Sequence, residues 1–297
     1  MFCEPVMSLA QLPRHIVCAV DFSEISAHAL AYAQTIARAA GAELTALYAE
    51  SIPMPPYFTE RQIEELRRQY RESLEEAERS LRRFLEAHLG PAAARVRAQT
   101  VEAAPVDGIL AAASRLGADW IALGTHGRTG VNRWLLGSVA ERVLRASNLP
   151  VLMARAPARP AAPVSIRRIL CPVNDSEPAR RSLQLAALLA KTLGAELTAI
   201  HVREAGAPSR IADLCAWIPP EERALCGIRE VEREGDAAEE ILKAAGETAC
   251  DLLVVGARHR TFFDSTVLGT TTVRVVRHAP CPVLTLIERR GGDQDRS

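Results

Sequence analysis

The chain has 297 residues, which is long enough for about two domains of ~150 residues each. Hydrophobic residues make up 48% and charged residues 24% of it, as in soluble globular proteins, and no apolar run approaches the ~20 residues that a membrane span needs. The formal net charge of zero gives no overall field that would attract nucleic acid or an anionic membrane.

Short apolar runs alternate with helical patterns along the first half. Ser23 is expected to cap the first helix and Gly41 to end it, because a serine hydroxyl accepts from the first turn and glycine adopts the left-handed conformation. Apolar runs between helices indicate a parallel sheet covered on both faces. The predicted strands are 16–20, 44–49, 96–101, 120–123 and 151–154, and the predicted helices are 23–40, 60–89, 109–116 and 139–147.

The helix predicted at 60–89 is unusually long. Its apolar residues recur at three- and four-residue spacing, and the remaining positions are mostly Glu and Arg at pairing distance. At ~1.5 Å per residue it would span roughly 45 Å, so we expect it to overhang the sheet or bend. It is interpreted as a helix packed on the sheet with a solvated face; a partner-binding or lid role is the alternative.

The second half of the chain repeats the first. Gly41-Ala-Glu-Leu-Thr-Ala46 recurs letter for letter from Gly194 to Ala199, and Pro150-Val-Leu152 recurs as Pro282-Val-Leu284. The first copy holds 21 more residues in its middle, which include the long helix. The predicted boundaries are 1–156 for the first domain, 157–165 for a Pro- and Ala-rich linker, 166–290 for the second domain and 291–297 for a disordered tail.

A glycine-rich segment follows the fourth predicted strand and precedes a helix. It begins Gly124-Thr-His-Gly127-Arg128, and Gly137-Ser138 follows with nine residues intervening after Gly127. Glycines let the backbone approach a ligand, and the first N–H groups of a helix can bind phosphate at the positive end of its dipole. The alternative is a turn with a capped helix, since Ser138-Val-Ala-Glu141 is a capping-box pattern.

The first, second and fourth predicted strands end at residues that suit one nucleotide site. In an open parallel sheet the ligand lies beyond the carboxyl ends of the strands, where the strand order reverses. With the order 3-2-1-4-5, Asp21 would face the glycine segment and accept from ribose hydroxyls or an adenine amine, help hold a metal, or instead cap the first helix. The backbone near Ala49 could bond an adenine edge. Arg128 and Arg133 could neutralise phosphate charge or lie in solvent.

These motifs resemble those of the universal stress protein family. The resemblance rests on Gly124-x2-Gly127-x9-Gly137-Ser138, on an apolar first strand ending in Asp21-x-Ser23, and on the closing Pro150-Val-Leu, and it covers both halves. It implies an α/β fold of two tandem doubly wound domains, each a five-stranded parallel sheet in the order 3-2-1-4-5 with helices on both faces. It also implies ATP as the usual ligand, with glycine-loop N–H groups and Ser138 on the phosphates and Asp21 near the adenosine.

The resemblance also carries expectations about assembly. In this family the fifth strand commonly pairs across a two-fold interface. In a tandem chain, 151–154 would then pair with 283–286 within one polypeptide and remove two exposed sheet edges. We further expect a homodimer and a regulatory protein partner that the sequence does not identify.

The two halves are not expected to bind nucleotide equally. In the second half Asn174 replaces Asp21, and His259 replaces the second glycine, whose backbone geometry a residue with a Cβ does not freely adopt. We therefore expect ATP, with or without Mg²⁺, mainly in the first half, although Arg258 and His259 could bind phosphate through their side chains. The predicted first site comprises Asp21, Ser23, Ala49, Gly124, His126, Gly127, Arg128, Gly137, Ser138 and Val139, and the possible second site Asn174, Val202, Gly256, Arg258, His259, Gly269 and Thr270.

The leading functional interpretation is a cytoplasmic, ATP-binding stress-response regulator in which the nucleotide controls conformation or partner choice. A slow ATP-hydrolysing enzyme is the first alternative, with His126 as the candidate base, and an interaction module with empty sites is the second. The amino terminus shows no signal-peptide pattern, and seven scattered cysteines argue against a secreted disulfide framework. Cys18 and Cys171 are expected to be buried, and a redox or metal role for Cys215 and Cys226 is left open.

Overall fold

The computed structural model describes residues 11–50, 60–126, 136–155, 164–262 and 265–288. Most of the predicted linker and the whole predicted tail lie outside these residues. The strands of the first half are β1 His15–Ala19, β2 Glu43–Glu50, β3 Val96–Glu102, β4 Trp120–Gly124 and β5 Val151–Ala154. Its helices are α1 Glu24–Ala40, α2 Glu60–Leu89, α3 Pro105–Arg115 and α4 Ser138–Ala146, with a 3-10 helix at Gly90–Arg95.

The second half follows the same plan with a different middle. Its strands are β6 Arg168–Pro172, β7 Glu196–Arg203, β8 Arg229–Glu234, β9 Leu252–Phe262, β10 Ser265–Leu268 and β11 Val283–Glu288. Its helices are α5 Glu177–Leu193, α6 Ile211–Cys215, α7 Pro220–Cys226, α8 Ala237–Glu247 and α9 Thr270–His278. The short α6 and α7 stand where the first half has α2.

One continuous sheet runs through both halves. Its strand order is β3-β2-β1-β4-β5-β11-β9-β6-β7-β8, and β10 pairs only with β9. Neighbouring strands within each half are parallel, except for the antiparallel β9–β10 pair. The expected α/β class with a mostly parallel sheet is therefore confirmed, and β10 is an addition that the sequence did not predict.

Hydrophobic cores lie on both faces of the sheet. One contains buried residues of α1, α2 and α5, and the other contains those of α3, α4, α8 and α9. Cys18 and Cys171 are fully buried in their strands, and burial raises the pKa of the Cys18 thiol to about 12. Both thiols are therefore part of the apolar core, as expected from the sequence.

The ends of α1 follow the predicted capping. The Ser23 side chain accepts from the Ser26 N–H at 3.1 Å, and Gly41 ends the helix with φ 68°. The second half repeats this arrangement in α5, with Ser176 as the N-cap and Gly194 at φ 66°. These local signals fix where each first helix begins and therefore where the preceding strand ends.

Among the described side chains of α2, the buried ones lie in its carboxyl-terminal part. Leu81 and Leu85 are buried, and most residues between 72 and 80 are exposed or half-buried. The solvated face carries ion pairs such as Glu76 with Arg79 and Arg83, at 3.0 and 2.8 Å. For residues 72–89 the structure therefore fits a packed helix with a solvated face.

The two halves join through antiparallel pairing of β5 and β11. Leu152 lies opposite Leu284, with Met153 opposite Val283 and Val151 opposite Thr285. Leu152 and Leu284 occupy the same position of the repeat, so the pseudo-two-fold axis passes between them. This intramolecular pairing is the one expected for a tandem chain.

A charged contact strengthens this junction on one side. The Arg155 guanidinium donates to the carbonyls of Arg277 and Ala279 at the end of α9, at 2.5 and 3.2 Å. His28 Nδ1 donates to the Arg155 carbonyl at 2.6 Å. A cation at a helix C-terminus satisfies free carbonyls and complements the helix dipole.

Replacing Arg155 should weaken the junction. We expect Arg155→Met to lower the free energy of unfolding by about 1–2 kcal/mol, because two charge-assisted hydrogen bonds are lost. Urea unfolding followed by circular dichroism would measure the change. Arg14→Met is the control, since the Arg14 side chain is 88% exposed and its ion pair with Asp119 should contribute little. Equal losses for both variants would contradict this account.

Candidate functional site

A cavity of about 250 Å³ lies at the carboxyl ends of β1, β2 and β4, beside the start of α4. This is the place that the strand order predicts for a ligand, because β1 and β4 flank the point where the order reverses. Its walls are formed by Ala19, Val20, Asp21, Leu47, Tyr48, Ala49, Pro105, Ile109, Leu123, Gly124, Thr125, His126, Gly137, Ser138, Val139 and Ala140.

The structure brings most of the predicted first site together at this cavity. Ser23 is not among the wall residues, and Gly127, Arg128 and Arg133 lie outside the described residues. The predicted residues on the walls are Asp21, Ala49, Gly124, His126, Gly137, Ser138 and Val139.

Ser23 holds Asp21 in place at the cavity edge. Asp21 Oδ1 accepts from the Ser23 hydroxyl at 2.6 Å and from the Ser23 N–H at 3.1 Å. The same serine oxygen caps α1, so its position is fixed by the helix. The cap of α1 that was considered for Asp21 is therefore Ser23, and the Asp21 carboxylate lies in the cavity wall.

Ala49 presents backbone groups to the cavity. The Leu47 carbonyl accepts from Val20 at 2.8 Å, and the Glu50 carbonyl accepts from Ala103 at 3.1 Å. Alternate residues of a strand direct their backbone groups to the same neighbour, so Ala49 points to the same side as Leu47. Because β1 has ended at that level, the N–H and C=O of Ala49 face the crevice.

The start of α4 differs from the predicted capping box. Gly137 is the N-cap, Ser138 is already the first helical residue, and no side chain caps the first turn in the described part of the chain. Glu141 instead pairs with Arg145 at 2.7 Å. The capping-box interpretation is therefore wrong, and the first-turn amides of α4 remain directed at the cavity.

Gly137 and Gly124 are required by close packing. The Gly137 N–H donates to the Thr125 carbonyl at 2.7 Å, and a Cβ on Gly137 would lie 2.9 Å from that oxygen. A Cβ on Gly124 would lie 2.9 Å from Ile25 Cγ2 in α1. Both glycines shape the cavity by letting neighbouring backbone and helix come close, and the Gly137 amide itself is already used.

The aromatic side of the cavity was not predicted. Tyr48 lines it and packs on Phe22 with ring centroids 4.7 Å apart, and Phe22 in turn contacts Phe84 of α2 at 5.6 Å. Phe22 adopts φ 64°, a left-handed conformation that costs a non-glycine residue about 1–3 kcal/mol. The available signal was position, since Tyr48 and Phe22 immediately neighbour Ala49 and Asp21 in sequence.

His126 faces the cavity as a neutral side chain at neutral pH. Its Nδ1 lies 3.0 Å from Thr125 Oγ1, and its Nε2 is buried without a hydrogen-bond partner among the described residues. Burial lowers the pKa of His126, and the nearby charge of Arg155 lowers it further. The imidazole therefore adds hydrogen-bonding capacity to the cavity and no positive charge.

The corresponding residues of the second half are arranged differently. Asn174 Oδ1 accepts from the Ser176 hydroxyl at 2.6 Å, which repeats the geometry of Asp21 and Ser23 without the charge. A Cβ on Gly256 would lie 2.4 Å from the Pro178 backbone, so this glycine admits the first turn of α5. Val202 is half-buried in β7, and Gly269 and Thr270 form the N-cap and first residue of α9.

The second glycine segment lies in a pair of antiparallel strands, the β9–β10 hairpin. Arg258 and His259 belong to β9, and His259 lies opposite Leu268 of β10 in an antiparallel ladder. Backbone groups that would surround a phosphate in a loop are paired with a neighbouring strand here. The matching residues of the first half, 127–135, lie outside the described residues, so the expected difference between the two segments stays a prediction.

Ion pairs also cross the carboxyl edge of the second half. Arg203 at the end of β7 pairs with Glu232 at 3.3 Å and with Glu234 of β8. Arg210 pairs with Asp175, in the β6–α5 connection, at 2.9 Å. These pairs tie together the strand ends and loop that match one wall of the first-half cavity.

The described residues contain neither a helix able to cross a membrane nor a group of three or more side chains suited to hold a metal ion. Cys215 and Cys226 are both buried, and Cys226 Sγ donates to the Ala187 carbonyl at 3.1 Å. The sequence left open a metal role for these two cysteines, and their placement in the core does not support it.

The chain is similar to known proteins of one family. The model of the universal stress protein family matches residues 13–155 and again 165–286. A universal stress protein of Methanocaldococcus jannaschii is 32% identical over 147 residues, covering 49% of this chain and 84% of that protein. One of Thermus aquaticus is 32% identical over 132 residues, covering 40% of this chain and 96% of its own length.

A solved structure agrees along nearly the whole chain. The crystal structure of a universal stress protein from Archaeoglobus fulgidus has a TM-score of 0.68 at 24% identity, covering 92% of this chain and 97% of that one. This likeness concerns the fold. Together with the two matches of the family model, it shows that the chain belongs to the universal stress protein family as a member with two tandem domains.

Proposed function

We propose that the first half of this protein binds an adenine nucleotide, with ATP as its ligand, and that the chain acts as a nucleotide-dependent regulator in the stress response. The observation that supports this most is the cavity at the ends of β1, β2 and β4 beside the helix start of α4. It combines apolar walls, a carboxylate, and the backbone groups of a strand end and a helix start, and the second half has Asn174 in place of the carboxylate.

The cavity suits the nucleoside part of the ligand. Its volume of about 250 Å³ is below the roughly 300–1,000 Å³ of typical ligand pockets, so the phosphates would extend out of it. Val20, Leu47 and Ile109 offer apolar surface to a base, and the Ala49 backbone can pair with a base edge. Asp21 can accept from ribose hydroxyls.

The phosphates would lie at the start of α4. First-turn N–H groups and the positive end of the helix dipole favour an anion there, and Ser138 adds a hydroxyl. The roles of Gly127 and Arg128 rest on the sequence motif. Mg²⁺ would be held mainly by the phosphates, because the described side chains form no group of three ligands.

Isothermal titration calorimetry of the full chain with ATP tests the proposal. We expect one tight site per chain, because in the second half Asn174 replaces the carboxylate, the segment after Gly256 is paired in a hairpin, and ion pairs join the strand ends. The absence of heat with ATP, ADP and AMP at high micromolar concentration would refute nucleotide binding. Two equivalent sites would refute the assignment to the first half alone.

A substitution at Gly137 should distinguish nucleotide binding by the first half from binding by the second half. A Cβ there would lie 2.9 Å from the Thr125 carbonyl, so Gly137→Ala should displace the start of α4 and weaken ATP binding about tenfold or more. Gly269→Ala is the matched control, because nothing lies within 4 Å of a Cβ at that position. Calorimetry on both variants should show weakened binding only for Gly137→Ala, and unchanged affinity in that variant would contradict the placement of the phosphates.

Turnover can be separated from binding on the same protein. Slow phosphate release that persists in a His126→Ala variant would remove the case for His126 as a base.

Homodimer formation, a protein partner and action in the cytoplasm belong to the same proposal. An oligomeric state that changes between ATP-bound and nucleotide-free protein in sedimentation experiments would support control of assembly by the nucleotide.

A further inference from the structure

Two buried cysteines meet at the base of the second half. Cys250 Sγ and Cys281 Sγ lie 3.2 Å apart, and the two residues are 7% and 6% exposed. Cys250 precedes β9 and Cys281 precedes β11, and these strands are parallel neighbours, with the Leu253 N–H donating to the Pro282 carbonyl at 3.0 Å. The fold therefore holds the two thiols together although 31 positions separate them in sequence.

The pair is not needed for packing. The first half has Ala118 and Leu149 at the matching positions, and it builds the same junction of strands from these apolar side chains. The two sulfurs also belong to one hydrophobic core, so they face the same side of the sheet. Their juxtaposition is thus a feature of the second half. It places two oxidisable groups next to β11, the strand that pairs with β5 and joins the two halves.

We propose that Cys250 and Cys281 form a disulfide when the protein meets a hydroperoxide, and that this bond locks β9 to β11. A disulfide needs an S–S distance of about 2.05 Å, so the sulfurs must approach by about 1.2 Å, which small side-chain rotations can supply. Among the described residues, the only sulfur within hydrogen-bonding distance of either thiol is that of the other member of the pair.

The chemistry balances with hydrogen peroxide as oxidant. The sulfur of one cysteine, after losing its proton, attacks a peroxide oxygen; the O–O bond breaks, and hydroxide leaves and takes up that proton as water. The second sulfur then attacks the sulfenic sulfur; the S–O bond breaks, and the hydroxyl leaves with the second thiol's proton as another water. Two thiols and one peroxide thus give one disulfide and two waters, with two electrons passing to the peroxide.

The burial of both cysteines favours a small oxidant. Hydrogen bonding to Cys250 raises the pKa of the Cys281 thiol, and burial raises it further. Burial also excludes bulky disulfides such as oxidised glutathione. Once formed, the bond would close a covalent loop that contains β9, β10 and α9 and that leads into β11.

Peptide mapping of the native full-length protein tests the proposal. The protein is treated with hydrogen peroxide or with a reductant, its free thiols are blocked with N-ethylmaleimide in denaturant, and it is digested with trypsin without reduction. Cys250 and Cys281 fall in separate tryptic peptides, 244–258 and 278–289. We expect these peptides to appear linked, two hydrogens lighter than their sum, only after oxidation, and to separate on reduction.

Thermal unfolding supplies a second measurement. Oxidation should raise the melting temperature by roughly 5–10 °C, because the cross-link restricts the unfolded chain. Cys250→Ala, which introduces the residue that the first half uses, should fold and show no such rise. Maleimide on both cysteines of oxidised native protein, linkage of either to a different cysteine, or an unchanged melting temperature would each overturn the proposal.

Discussion

Gly256→Ala should lower the free energy of unfolding by about 3 kcal/mol, the largest loss we expect from any single methyl group added to this chain. The added Cβ would lie 2.4 Å from both the carbonyl carbon and oxygen of Pro178 and 2.8 Å from the Ala179 nitrogen. These are backbone atoms in the first turn of α5, so no side-chain rotation can relieve the contact. Urea unfolding would measure the loss.

The rest of the structure prevents an inexpensive adjustment. β9, which carries Gly256, is held on both sides by β6 and β11, and α5 packs its buried face on the same sheet. Either the helix or the strand must move by about an ångström, which disturbs a close-packed core. A loss below 1 kcal/mol would mean that this close approach is not present in the folded protein.

Two other glycines provide matched controls. At Gly124, the counterpart in the first half, an added Cβ would meet Ile25 Cγ2 at 2.9 Å, and a side-chain methyl can move more easily than backbone. Gly124→Ala should therefore cost less than Gly256→Ala. At Gly246, inside α8, nothing lies within 4 Å, so Gly246→Ala should stabilise the protein by up to about 1 kcal/mol.

These glycines show what the sequence could and could not reveal. The pattern of apolar runs and caps depends on residues that are close in sequence. It predicted the alternation of strands and helices together with the limits of α1 and α2. A glycine after a strand was expected to let the backbone approach a ligand. Which group approaches depends on the tertiary packing, and at Gly124 and Gly256 it is a helix of the same half.

Other features of the site depended on distant parts of the chain. The β9–β10 hairpin forms through backbone pairing that the side-chain pattern of residues 258–268 does not specify. Tyr48 lines the cavity because β2 ends beside β1, and Cys250 meets Cys281 because β9 and β11 are neighbours. Asp21 and Ala49 could be predicted because strand ends in a parallel sheet converge at one edge.

Asp21→Asn should weaken ATP binding about tenfold with little change in stability. The amide oxygen of asparagine can still accept from Ser23, as Asn174 does from Ser176 in the second half, so the start of α1 should be preserved. What is lost is the charge that strengthens hydrogen bonds from ribose hydroxyls, an effect of about 1–1.5 kcal/mol. Calorimetry with ATP measures the affinity, and urea unfolding checks the stability.

The reverse substitution in the second half makes the comparison specific. Asn174→Asp restores the carboxylate there, but the hairpin and the Arg210–Asp175 ion pair remain, so we expect one ATP per chain with unchanged affinity. If Asn174→Asp creates a second site, a single charge rather than the shape of the second half decides where nucleotide binds. If Asp21→Asn binds ATP as tightly as the native protein, the ribose does not lie beside Asp21. A carboxylate that accepts hydrogen bonds from ribose hydroxyls cannot lose its charge without a loss of affinity.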